Sequence, residues 1–367
     1  MKSYNSFISK ITERKCAFPK MISEMNSSGL PLLLYGATVY ATRLYSIGIK
    51  LNLIISDVVV SSMEGNPSEF MGYKVITISE ALMKYERCNV IIAFLNCPYE
   101  RIIHLEKFLA DSNKVEKIYY FDLVHDIYYN TFGMDYSFVE KNQNAFNELM
   151  ATLADDLSRN ILTGFFNQKI SGDTCYLKKL VTDDEYFPDF VELSDGELFV
   201  DCGAFDGDSI EAFVKHMGNK RIDLIYAFEP DVYNHEKIIK RNFNNCILLQ
   251  KGCYFKKATL RFQDGETMSS KIDESGISKV DVDTIDNVLQ GEKATYIKMD
   301  IEGSELAALD GAKETIMLHR PKLAVCVYHK IDDLLTIPQK ILSFRSDYKL
   351  YLRTHCIYSC ATVLYAI

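Results

Sequence analysis

The 367-residue chain lacks the features that mark several protein classes. No run approaches the roughly 18 apolar residues needed to span a bilayer, and the opening stretch MKSYNSFISKITERKC has no apolar signal-peptide core. The expectation is a cytoplasmic protein without a transmembrane segment. Positive charge is short, with 41 Lys and Arg against 50 Asp and Glu for a formal charge of −9. This excludes a basic footprint for nucleic acid and a polybasic patch for an anionic membrane. The ten cysteines contain no C-x-x-C pair. Several sit in apolar strand-like runs (Cys202, Cys246, Cys326), and they read as buried reduced thiols rather than disulfides. Cys356 and Cys360 lie near His355, but a zinc site would need further ligands at recognisable spacing. There is no short-period repeat and no low-complexity segment.

What is present is ordinary globular material, 48% hydrophobic and 25% charged, long enough for two domains. The first third alternates strands and helices. PLLLYGA (31–37) reads as a strand followed by a helix from Thr38 to Gly48. LNLIISD (51–57) reads as a second strand, VITIS (75–79) as a lead into a helix capped by Ser79, and NVIIAFLN (89–96) and KIYYFD (117–122) as further strands. Such alternation implies a parallel sheet covered on both faces. Between about Asp126 and Phe190 the apolar residues fall at helical spacing. From Gly196 the alternation resumes through ELFVDCGA, LIYAFEP, NCILLQKGCY, ATYIKMDIEG and KLAVCVYH. The final stretch YKLYLRTHCIYSCATVLYAI resembles two strands around a turn, suited to an antiparallel pair at one edge. The expected fold is α/β with two Rossmann-like doubly wound domains, at 1–125 and 191–367, joined by a helical connector and cap at 126–190.

In such sheets ligands sit beyond the carboxyl ends of the strands, at the switch point. The segment FVDCGAFDGDS puts Gly203 and Gly207 in a turn lined by Asp201, Asp206 and Asp208, with no Lys or Arg in the loop. A pyrophosphate would be repelled there, and a cationic ligand favoured. S-adenosylmethionine has that sign in its sulfonium and ammonium groups, and its ribose offers two hydroxyls. Glu229, in YAFEP, is the acid expected to accept from the ribose. It lies 28 residues after Asp201, leaving room for a helix and a turn. Gly203, Ala204, Phe205, Asp206, Gly207 and Pro230 complete this candidate cofactor set, and Gln250–Cys253, with Gly252 allowing close approach, is expected along the adenine.

VDCGAFDGDS, YAFEPD, IKMDIEGSELAALDGA and RPKLAVCVYH, in that order, resemble the FkbM family of class I S-adenosylmethionine-dependent methyltransferases. The resemblance runs from roughly Asp155 to Ile367, with IKMDIEGSE its most distinctive part. VDVDTIDNVL is similar to the family segment leading into that strand. One departure is Phe205, where many methyltransferases of the wider class have a second glycine. The resemblance implies an active-site position for Asp300 and, by analogy alone, O-methylation of a saccharide or glycolipid hydroxyl.

Methyl transfer demands alignment and desolvation, and a hydroxyl acceptor must also lose its proton. Asp300 and Glu302 both face the cleft if the strand has given way to a turn by then. His329, ending CVYH, belongs at the same rim with a pKa suited to general-base work. Lys298 reads as the partner of a carboxylate. A divalent metal on Asp300, Glu302 and another oxygen is an option that the spacing does not select, so none is expected. Arg261 to Asp283 reads equally as a flap over the acceptor or as a surface hairpin.

In the first domain, Gly36 with Ala37 and Ala41 forms a degenerate nucleotide turn, and Asp57, 21 residues on, stands where a ribose-binding acid would be expected. G-x-G-x-x-G is absent, so the fold is expected to have lost its cofactor. Its resemblance to N-terminal units that accompany some FkbM-type enzymes and sugar-modifying proteins implies that it holds a nucleotide sugar or a partner subunit. The expected partners are thus a small-molecule or glycan acceptor, no nucleic acid, and, as an open option, further copies of the chain. The rival reading is a non-catalytic nucleotide-sugar-binding or scaffold protein. A nicotinamide-dependent sugar oxidoreductase fits less well, because the first domain lacks the glycines and a suitably placed Tyr-x-x-x-Lys pair.

Overall fold

Runs of consecutive apolar residues become central parallel strands buried on both faces, where alternation would have left one face to water. The computed structural model describes residues 6–95, 99–125, 133–262 and 278–367. These divide into two compact units, one within residues 1–143, 162–181 and 356–359, the other within 144–161, 182–355 and 360–367.

The first unit holds a six-stranded sheet of β1 (Leu32–Tyr35), β2 (Asp57–Val60), β3 (Glu69–Phe70), β4 (Tyr73–Thr77), β5 (Cys88–Ile92) and β6 (Val115–Tyr119), in the order β3-β4-β2-β1-β5-β6. All pairs are parallel except the β3–β4 hairpin. The helix Val39–Lys50 is capped by Thr38, whose hydroxyl accepts from the Ala41 N–H. The next helix, Ile78–Lys84, begins at Thr77 rather than at Ser79. Thr77 and Glu80 form a reciprocal capping box, which satisfies two helix-start groups at once. The second strand also departs from expectation. Residues 51–56 turn back against the preceding helix, with Leu53 packed where Gly48 has no side chain, and β2 starts only at Asp57.

The second unit holds a seven-stranded sheet of β7 (Glu197–Cys202), β8 (Ile222–Phe228), β9 (Cys246–Leu249), β13 (Tyr296–Met299), β14 (Lys322–Cys326), β15 (Leu350–Thr354) and β16 (Thr362–Ala366). A small sheet of β10 (Gly252–Cys253), β11 (Ala258–Phe262) and β12 (Ser278–Asp283) accompanies it. The large sheet runs β15-β16-β14-β13-β7-β8-β9. β16 is antiparallel to both its neighbours, so the antiparallel edge comes from one inserted strand. The chain leaves β7 towards β8 and β9, then crosses to β13 on the other side, which puts the switch point between β7 and β13. Their register sets Asp201 opposite Lys298. Residues 263–277, most of the expected flap, lie outside the described residues, as do 126–132 of the expected connector. Among the described residues no helix is long and apolar enough to cross a membrane, and their nine cysteines form no disulfide with one another.

Candidate active site

At the switch point the two central strands come close enough to exclude a side chain. A Cβ on Gly203 would fall 2.0 Å from the Asp300 carbonyl oxygen, and Gly203 has a φ of +86°. Only glycine tolerates both conditions. The turn then passes through Phe205 at φ 48° and Gly207 at φ 89° into the helix Asp208–Met217. Phe205 thus adopts the left-handed conformation that glycine would take freely, at a cost of about 1–2 kcal/mol.

The three aspartates differ in their surroundings. Asp201 has no exposed surface; its carboxylate sits 3.0 Å from Lys298 Nζ and accepts from Ser209 Oγ. Lys298 Nζ also donates to the Gly203 carbonyl at 2.7 Å. Burial opposes the lysine's charge, but Asp201 and then Asp300 hold its pKa above the ordinary value. Asp206 pairs with Arg241 at 3.2 Å, while Asp208 accepts from Ser209 N–H. The loop is therefore less bare of positive charge than its own sequence shows, because Lys298 and Arg241 reach it from elsewhere.

Glu229 follows β8 and closes on the turn. One oxygen accepts from the Phe205 N–H and the other from the Asp231 N–H, both at 2.8 Å. Burial pushes its carboxyl up to about 7, against the lowering effect of those two amides. Pro230 lies between it and Asp231, the cap of the helix Val232–Arg241. Gly252 stands in the small sheet, paired with Val282. The adjoining Cys253 thiol is buried and hydrogen-bonded to Cys202 at the end of β7, and its pKa is raised for both reasons.

Asp300, Glu302 and His329 come together. β13 ends at Met299, and the turn beyond it carries Glu302 at φ 53° and Gly303 at φ 91°. Both carboxylates thereby face His329 Nε2, Asp300 at 3.5 Å and Glu302 at 3.6 Å. On the other side of the ring Nδ1 lies 2.9 Å from Glu305 Oε1. Burial disfavours charge on the imidazole, but Glu305 first, then Asp300 and Glu302, raise its pKa to about 9. These three carboxylates thus favour the charged form of the imidazole.

Several residues here escaped the sequence reading. Tyr186 and Tyr328 hydroxyls donate to Asp300, to Oδ2 at 3.0 Å and Oδ1 at 3.2 Å. Burial would raise the Asp300 pKa, but the charges of His329 and Lys298 and the Tyr186 hydrogen bond bring it below the usual value. Glu185 is open to solvent, between Asp184 and Tyr186, which both have positive φ. Glu305 and Tyr328 adjoin residues the sequence did single out, so proximity was a usable signal. For Glu185 and Tyr186 there was none.

In the first unit Gly36 approaches the Ala93 carbonyl, where a Cβ would fall 2.7 Å away. Asp57 opens β2 instead of closing it, so the strand separates it from the Gly36 end of the sheet. Its carboxylate is held by Lys84 at 2.8 Å and the Tyr85 hydroxyl at 2.6 Å. The expectation of a ribose-binding acid there is overturned by this strand register. His355 uses Nδ1 on the Thr182 carbonyl and Nε2 on the Tyr365 hydroxyl, which leaves Cys356 and Cys360 as thiols without it.

Residues 201–347 match the methyltransferase FkbM domain. The structure of methyltransferase FkbM from Methylobacillus flagellatus KT aligns over 98% of this chain and 96% of its own, with a TM-score of 0.67 and 22% identity. That likeness establishes a shared fold across both units. Fibrillarin from Aeropyrum pernix, with natively bound S-adenosyl-L-methionine, aligns over 48% of this chain and 70% of its own at 9% identity and a TM-score of 0.32. No curated protein matches the sequence.

Proposed function

We propose that this chain, which carries a methyltransferase FkbM domain at residues 201–347, methylates a hydroxyl of a saccharide or glycolipid precursor with S-adenosylmethionine as donor, acting in the cytoplasm. The observation carrying this reading is the meeting, at one switch point, of a glycine turn, an acid closing on it and a carboxylate–imidazole cluster. The division into a methyltransferase domain at 191–367, a connector at 126–190 and a Rossmann-like domain at 1–125 belongs to the same reading.

The residues fit the donor. Gly203 lets the turn pass close against the Asp300 carbonyl, and the backbone from Gly203 to Gly207, with Ala204, Phe205 and Asp206, offers amides for a carboxylate. Glu229 retains lone pairs for ribose hydroxyls beyond the two amides it accepts, with Pro230 fixing its approach and Gly252 lining the adenine. Asp201 acts through Lys298 as a positioning residue. The donor supplies a methyl group on a positively charged sulfur. Asp300, Glu302 and His329 form the acceptor side, where the carboxylates orient the hydroxyl and take up its proton. An acceptor rich in hydroxyls suits a site rich in carboxylates and tyrosine hydroxyls.

Calorimetry with S-adenosylmethionine, its demethylated product and NAD tests the reading. Micromolar binding of the first two is expected, weakened roughly 10- to 100-fold in Glu229→Ala by the loss of hydrogen bonds to a charged group. Binding of NAD alone, indifferent to that substitution, would refute it.

A further inference from the structure

Tyr186 holds a backbone conformation that its own side chain resists. Its φ is 67°, in the left-handed region that a bulky residue seldom enters, and Asp184, two residues earlier, is at φ 57°. Strain of this kind persists only where the surroundings over-determine it, and it gathers at functional sites. Here the surroundings are two strands of the large sheet. The Tyr186 N–H donates to the Tyr365 hydroxyl of β16 at 3.0 Å, and its carbonyl accepts from the Tyr296 hydroxyl of β13. Glycine would make the same two bonds without strain. What glycine could not supply is the side chain.

That side chain reaches both halves of the site. Its ring lies against Lys298, with Nζ 5.1 Å from the ring centroid, and this is the lysine that holds Asp201 and the Gly203 carbonyl. Its hydroxyl donates to Asp300 Oδ2 at 3.0 Å, with Cys326 Sγ 3.8 Å from the same oxygen. The Tyr328 hydroxyl takes Asp300 Oδ1 at 3.2 Å. Each carboxylate oxygen therefore has a tyrosine, although 26% of the Asp300 side chain is exposed and water could have served there. A carboxylate offers about four lone-pair sites, so two tyrosines fix its plane and leave capacity for another donor. Burial opposes the Asp300 charge, as do the neighbouring carboxyls of Glu302 and Glu185, while His329, Lys298 and the Tyr186 hydroxyl support it.

We propose that Tyr186 is the positioning residue of this site: its hydroxyl, paired with that of Tyr328, fixes the Asp300 carboxylate, while its ring braces the lysine beneath the glycine turn. One side chain thus sets the donor turn and the carboxylate that receives the acceptor hydroxyl in a common frame. The hold on Asp300 stands on the geometry itself. Only its use by an acceptor rests on the methyl-transfer reading.

The test is ¹³C NMR of the full chain labelled at the aspartate side-chain carboxyl, followed from pH 8 down to the onset of acid unfolding, with the Asp300 signal assigned by its loss in Asp300→Asn. Tyr186→Phe removes the hydroxyl and keeps the ring on Lys298 and both backbone bonds. Its Asp300 signal is expected to leave the ionised position at higher pH than in the parent, and to do so at higher pH again in Tyr186→Phe combined with Tyr328→Phe. Affinity for S-adenosylmethionine, read by calorimetry at pH 8, is expected to be unchanged in Tyr186→Phe. A merely structural hydroxyl would not move the Asp300 signal, so an identical signal in parent and Tyr186→Phe over the whole range overturns the proposal. A Tyr186→Phe chain that loses the S-adenosylmethionine binding of the parent overturns it as well, because the hydroxyl would then serve the donor turn or the fold at large. A parent that binds no S-adenosylmethionine overturns the methyl-transfer reading instead, and the NMR result still decides the hold of Tyr186 on Asp300.

Discussion

Glu229 combines two demands that pull its protonation in opposite directions. Burial raises its pKa to about 7, whereas hydroxyl donors from a ribose would favour the ionised form. A ligand that prefers the ionised form binds more tightly as pH rises through about 7, and releases a proton as it binds below that. We therefore expect affinity for S-adenosylmethionine to increase from pH 6 to pH 8 and then level off, with Glu229→Gln weaker and flat over the same range. Calorimetry in buffers of different ionisation enthalpy would check both, and a parent affinity independent of pH would remove Glu229 from the ribose site. The stability sign follows from the same shift. The folded pKa lies above the unfolded value, so this group's contribution is fully present below about pH 4.5 and is lost as pH rises to about 7, a loss on the order of 3 kcal/mol. The sequence disclosed Glu229 because it follows an apolar strand and ends in Glu-Pro. The paired amides that set its charge were not legible, since one comes from a turn 24 residues away.

Strand adjacency, more than any local motif, decides how the glycine turn is held. Asp201 on β7 faces Lys298 on β13, and neither has appreciable exposed surface. Removing one partner of a buried pair leaves an uncompensated charge, at a cost of about 3–5 kcal/mol. Lys298→Met should lower stability by that amount, and Asp201→Asn combined with Lys298→Met should cost clearly less than the two separate losses added. Urea unfolding of the four proteins measures the coupling. Additive losses, or a Lys298→Met variant as stable as the parent, would show that the pair does not hold the turn. Elements with continuous apolar runs, such as β1, β5 and β7, were readable in the sequence because burial on both faces leaves that trace. Ends were less readable. LNLIISD has strand composition, yet Leu53 is drawn back onto Gly48, so the chain turns before β2 begins. VITIS offers two capping residues, and Thr77 prevails because only it has a Glu three positions on. Tyr186 lies between segments of clear periodicity, and its link to Asp300 arises from tertiary packing alone.

At the scale of the whole molecule, two sheets of similar design present two glycine turns, and the question is which of them takes the donor. Gly36 and Gly203 both follow a first central strand and both press against a carbonyl across the switch point. The likeness ends there. The first unit's acid, Asp57, lies at the wrong end of its strand and is held by Lys84 and Tyr85, whereas Glu229 lies at the carboxyl end of β8 and bonds to the turn itself. Among the described residues only the second unit also brings a carboxylate–imidazole cluster to its turn. A ligand bound to the folded state slows local opening in the segments that hold it, because their exposure then requires its release. Hydrogen exchange with saturating S-adenosylmethionine should therefore slow at residues 203–211, 229–235 and 250–254, with residues 36–45 and 57–61 unchanged. Slowing confined to 36–45 would move the donor to the first unit and leave Glu229 and Asp300 without their assigned roles. Slowing in both places would mean that binding at one turn stabilises the other unit, and would give the first unit a part in the reaction.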